Sequence, residues 1–72
     1  MYMEQEKYDA LINDIKEKAY NNKDHSAYIR PSNYGFSKTQ EGLNECAALI
    51  RDFSFVKRVK IEGKDLLLID IE

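Results

Sequence analysis

Apolar residues at Tyr8, Leu11, Ile12, Ile15 and Ala19 recur at the three- and four-residue spacing of a single helix face. The pattern predicts an amphipathic helix over about residues 4–20. Glu4, Glu6 and Asp9 crowd its first half and Lys16 and Lys18 its end, a placement that complements the helix dipole. Asn21 and Asn22 tolerate the left-handed backbone that stops a helix. A second stripe, Leu43, Cys46, Ala47, Ile50 and Phe53 with Leu49 on its flank, predicts a helix over about 38–53. Ser37 and Gln40 match the S-x-x-Q capping box at its start. Gly42 weakens that first turn by about 1 kcal/mol relative to alanine. A residue so small there suits close approach by another part of the chain.

Between the helices the pattern changes. Ala27–Arg30 reads as a short strand, because Tyr28 and Ile29 favour extended backbone and Pro31 must end or edge it. PSNYG, residues 31–35, reads as a turn. After the second helix, strand-like runs over 55–61 and 66–71 flank Glu62-Gly63-Lys64-Asp65, with Gly63 suited to the first corner of a II′ turn. Pairing Glu62 with Asp65 sets Ile61 opposite Leu66, Val59 opposite Leu68 and Lys57 opposite Asp70. One face then holds Val59, Ile61, Leu66 and Leu68. The other holds Val56, Leu67, Ile69 and Ile71 beside Arg58 and Lys60.

The expected fold is therefore α+β: one αβαββ domain, two amphipathic helices packed on a short antiparallel sheet that ends in a C-terminal β-hairpin. Its last strand is apolar on both faces, whereas a sheet covered on one side should alternate. Either one helix covers each face, or both cover one and a partner meets the other. The second arrangement makes Val56, Leu67, Ile69 and Ile71 the expected partner-binding face.

Composition strengthens the expectation of a partner. Seventy-two residues lie near the lower limit for a chain that folds alone. Cores of this size rarely contribute more than about 3–5 kcal/mol net without a staple. The single Cys46 excludes an internal disulfide, and one Cys with one His, His25, cannot build a nitrogen/sulfur zinc site. What remains is efficient packing or a partner chain. With 43% hydrophobic and 33% charged residues the chain reads as a folded globule. A net charge of −2 gives no general pull toward nucleic acid or anionic membrane. No apolar run is long enough to span a bilayer, and MYMEQEKYD shows no basic-then-apolar leader pattern. A soluble cytoplasmic protein with a reduced thiol is expected.

Candidate chemistry is sparse. Cys46 and His25 are the conventional nucleophile and base, yet Cys46 lies on an apolar helix stripe and His25 in a polar connection. Asp65, Asp70 and Glu72, with the Glu62-Gly63-Lys64 triplet, resemble in type the carboxylates of a metal-dependent hydrolase. The expected register keeps Glu62 and Lys64 in the turn, away from Asp70 and Glu72, so gatekeeping of a sheet edge is the simpler role. No glycine-rich phosphate loop is present, and neither a cofactor nor a small-molecule substrate is expected.

Binding is better represented than catalysis. Lys57, Arg58 and Lys60 form a basic run, and Arg30, Tyr34, Phe36 and Lys38 mix cations with rings, as phosphate binding with base stacking requires. A helix-turn-helix lacks its second helix over residues 21–36, and Glu41, Asn44, Glu45 and Asp52 make the second helix a poor groove reader. Of Tyr20, Tyr28, Tyr34 and Phe36, two are expected in the core, with Arg30 and Tyr34 as exposed anchors beside the proline turn. The expected function is a small non-catalytic protein-binding module. It would regulate or inhibit by occlusion or assembly, as a homodimer or docked on a larger protein. A nucleic-acid-binding accessory protein using Lys57, Arg58 and Lys60 ranks second, and a metal-dependent hydrolase third.

Overall fold

The computed structural model describes residues 5–72, with side chains from residue 8 onward. Glu4 and the side chain of Glu6, read above as favouring the helix start, lie outside the described residues. In chain order come α1 (Gln5–Tyr20), β1 (Ser26–Ile29), a 3-10 helix (Pro31–Tyr34), α2 (Gln40–Arg51), β2 (Val56–Gly63) and β3 (Leu66–Ile71). Two helices pack on a three-stranded antiparallel sheet of order β1-β3-β2, and β2 and β3 form the C-terminal hairpin. The last strand in sequence is thus the central strand in space.

Both apolar helix stripes enter one core. Leu11, Ile15 and Ala19 of α1 are fully buried, and Leu43, Cys46, Ala47 and Ile50 of α2 nearly so, with Phe53 just past its end. α1 lies over β1 and β3, and α2 mainly over β2, so both helices cover the same sheet face. Ala27, Ile29, Val59, Leu67, Ile69 and Ile71 meet them from the sheet. Aromatic rings close one end of the layer: Tyr8 meets Phe53 edge-on at 5.2 Å, and Phe53 stacks on Phe55 at 5.7 Å. Lys16 Nζ sits 4.8 Å from the Phe55 ring centre.

The cap of α2 is Thr39 instead of Ser37. Its hydroxyl accepts from Gly42 N at 3.1 Å, while the Ser37 and Thr39 hydroxyls are 2.8 Å apart. The close approach expected at Gly42 is made by Ser37 itself, whose backbone occupies the space a Cβ would need. The PSNYG segment is a 3-10 turn closed by Gly35 at φ 89°, with Phe36 N donating to Pro31 O at 3.2 Å.

The hairpin register is shifted by one residue from the expected one. Ile61 pairs with Leu67, Val59 with Ile69 and Arg58 with Asp70, so neither Ile61–Leu66, Val59–Leu68 nor Lys57–Asp70 is formed. Gly63 ends β2 opposite Leu66, leaving Lys64-Asp65 at the corners, and its φ is not positive. Bulges between Val56 and Arg58 and between Ile61 and Gly63 absorb the slip. A one-residue slip turns every side chain of one strand to the opposite face relative to its neighbour. Here it aligns Val59 and Ile61 with Leu67 and Ile69, the side on which β1 presents Ala27 and Ile29. Ala27, Ile29, Val59, Leu67 and Ile69 thus face the helices, whereas Ile61, toward the hairpin end, stays 39% exposed.

The residues expected to meet a partner are consequently core residues. Leu67 and Ile69 are 0% exposed, Ile71 is 4% exposed, and Val56 packs against the same core. Once both helices cover this face, Val56, Leu67, Ile69 and Ile71 are unavailable to another chain.

Candidate protein-interaction face

The sheet face without helices is built from alternate residues of each strand. Ser26 and Tyr28 of β1 stand beside Asp70 and Leu68 of β3, which pair in turn with Arg58 and Lys60 of β2. Tyr28 is 57% exposed, and Leu66 and Leu68 are partly exposed on the central strand. An aromatic–aliphatic centre is thus surrounded by charge.

Much of that charge is already paired. Arg58 places Nη2 at 2.6 Å and Nε at 2.9 Å from Asp70 Oδ2. Lys60 Nζ lies 3.6 Å from Glu62 Oε1. Of the basic run Lys57, Arg58 and Lys60, two members therefore face carboxylates on their own sheet, and Lys57 sits at the bulge. Such exposed pairs contribute little to stability. They do reduce the positive field that a phosphate backbone would need.

Two depressions flank the apolar centre. One, of about 510 Å³, is lined by Tyr28, Arg30 and Leu66, by Lys18 from α1, and by Asn33, Tyr34 and Glu62. The other, of about 660 Å³, lies at the opposite end among Asp24, Ser26, Lys57, Arg58, Leu68 and Asp70.

The first depression has a fixed wall. Ser32 Oγ donates to Asp65 Oδ2 at 2.5 Å and Ser32 N to Asp65 Oδ1 at 3.1 Å, tying the 3-10 helix to the hairpin corner 33 residues away. Tyr34 Oη donates to Asp14 Oδ2 at 2.6 Å, tying it to α1. Burial pushes the Tyr34 phenol well above its ordinary range, and the bond to Asp14 and that carboxylate's charge add to the rise. Tyr34 is therefore a half-buried strut, not the exposed anchor expected. Arg30 is exposed as expected. Tyr34 and Phe36 pack against the core, whereas Tyr20 and Tyr28 are 56% and 57% exposed. Tyr20 lies edge-on to His25, which takes the left-handed backbone at φ 52°.

The Ser32 hydroxyl holds the Asp65 carboxyl below its usual range, aided by the Ser32 amide and the charges of Lys38 and Arg30, against opposing desolvation. A carboxyl whose folded pKa is depressed contributes stability above its unfolded pKa and loses it as pH falls through the folded pKa. Urea titrations of the wild type should therefore show an acid-side loss that Asp65→Asn reduces. The two proteins should differ most near neutrality and converge as pH falls through and below the ordinary aspartate range. Parallel pH profiles would show that Asp65 is not a lock.

The hydrolase and dyad residues do not converge. Asp65 is engaged by Ser32 and Asp70 by Arg58, and among the described residues no three of His, Cys, Asp and Glu are grouped to hold one ion. Cys46 is buried in α2, and His25 is exposed before β1. Burial, aided by the charge of Asp65, pushes the Cys46 thiol up to about 12. Ellman's reagent should accordingly label Cys46 only as fast as the domain opens, with rates that rise with urea. Immediate labelling in native buffer would contradict that burial. Among the described residues no helix is long and apolar enough to cross a membrane.

No family model, curated protein or solved structure matches the chain. A functional reading therefore rests on the chemistry of this face.

Proposed function

We propose that the chain is a small cytoplasmic, non-catalytic protein-binding module that regulates or inhibits a larger protein by occlusion or assembly. It acts through the sheet face opposite the helices. The observation that carries this reading is the composition of that face: Tyr28, Leu66 and Leu68 at the centre, charged residues around them. An apolar, aromatic centre with a polar rim is the anatomy of a protein interface. The centre is small, which suits a transient contact with another protein better than an obligate homodimer, whose interfaces are larger and more hydrophobic. The nucleic-acid reading ranks lower because Arg58 and Lys60 already face Asp70 and Glu62.

The test is capture from the parent cells on immobilised wild type and Leu68→Lys, with circular dichroism confirming that both are folded. A protein held by the wild type and released by the variant supports the face. Identical captures on the two proteins would overturn it.

A further inference from the structure

The two depressions differ in charge, and the difference identifies what a partner places in one of them. Around the second, Lys57 and Arg58 face Asp24 and Asp70, two cations against two carboxylates. Around the first, Lys18 and Arg30 face only Glu62, and Glu62 is held by Lys60. Neither Lys18 nor Arg30 has an ion pair among the described residues. The other nearby carboxylates, Asp14 and Asp65, accept from the Tyr34 phenol and from Ser32, and Asp65 also feels the charges of Lys38 and Arg30. The depression thus presents two cations without an ion pair, with Tyr28 and Leu66 in the same lining.

Its wall is also rigid. The 3-10 helix carrying Asn33 and Tyr34 is bonded to both α1 and the hairpin corner, and Arg30 precedes it directly. Little ordering entropy remains to be lost there on binding, which is the benefit of a pre-organised site. Arginine fits a carboxylate through two parallel N–H donors, and tyrosine supplies broad apolar contact at low entropy cost.

We propose that this depression anchors an acidic segment of the protein partner. An aspartate or glutamate of that segment is held by Arg30 and Lys18, and an adjoining apolar side chain lies on Tyr28 and Leu66. The inference rests on the protein-binding reading and names the chemistry of the partner.

The experiment is selection of a displayed random peptide library on the immobilised full chain. The winners are then titrated against wild type, Lys18→Glu/Arg30→Glu, Lys57→Glu and Leu68→Lys, each checked for fold by circular dichroism. Winners should carry an acidic residue beside an apolar one. Their affinity should fall at least about tenfold in the Lys18→Glu/Arg30→Glu variant, the loss expected for a charged hydrogen bond, and hold in Lys57→Glu. Winners that lack acidic residues, or bind the double variant equally well, overturn the anchor. If Leu68→Lys still releases them, the sheet face survives as the interface. Winners indifferent to all three variants, or no winners, remove both readings. A single-stranded oligonucleotide bound by the wild type and released by the double variant would reassign the depression to phosphate and overturn the proposal.

Discussion

Ile69→Lys is expected to unfold the domain, whereas Leu68→Lys, one residue away, is expected to leave it folded. Ile69 is 0% exposed at the middle of the central strand, between Ala27 and Val59 and beneath the helices. A lysine there loses the packing of the isoleucine and buries an ammonium with no carboxylate beside it. Introduced buried charges belong to the small class of substitutions that cost more than about 4 kcal/mol. A core of this size holds only about 3–5 kcal/mol net, so little folded protein should remain. Leu68 points the other way, between Tyr28 and Lys60, and is partly exposed. A lysine at that position extends its ammonium to water, at a cost of about 1 kcal/mol or less from its like-charged neighbour. Far-UV circular dichroism with urea melts separates the pair. A folded Ile69→Lys beside an unfolded Leu68→Lys would mean that the helices cover the opposite face.

Gly42→Ala carries the second large effect, and its sign opposes the helix rule. In an open helix the change would gain about 1 kcal/mol. Here the new methyl would collide with the Ser37 carbonyl oxygen and lie 2.7 Å from Ser37 Oγ and 2.8 Å from Ser37 C. Overpacking of that kind costs about 1–3 kcal/mol, and a backbone obstacle gives way less readily than a side chain. A lowered urea midpoint is therefore expected. Adding Ser37→Ala should not restore it, because the carbonyl remains. A midpoint above the wild type's would place Ser37 away from α2.

The contrast between these two sites shows where the sequence is informative. Each helix buries one stripe against one sheet face, so the spacing of Leu11, Ile15 and Ala19 and of Leu43, Cys46 and Ile50 is legible without a structure. β3 has no such alternation. A central strand meets apolar neighbours on its helix side and carries Leu66 and Leu68 on the other, so its register cannot be read from itself. Pairing with β1, whose buried Ala27 and Ile29 alternate with exposed Tyr28, decides it. That alternation was the available signal for Tyr28 as the outward ring. The helix cap has a similar lesson. Ser37 and Thr39 both offer hydroxyls, and the capping-box pattern favours Ser37 through Gln40, but the N–H that needs a partner belongs to Gly42. The locks from Asp65 to Ser32 and from Tyr34 to Asp14 span 33 and 20 residues, and no local pattern announces them.

One measurement tests most directly whether the helix-free sheet face is the working surface. It is solution mass by light scattering, for the wild type and Leu68→Lys, each alone at several concentrations and each mixed with the captured protein. The expected result is a wild-type monomer of 8.4 kDa that forms a complex with the captured protein, beside a folded variant that stays monomeric in the same mixture. A wild-type dimer that Leu68→Lys converts to monomer would keep the face and make a second copy its occupant. Equal masses for wild type and folded variant in every mixture would contradict the assignment of this face.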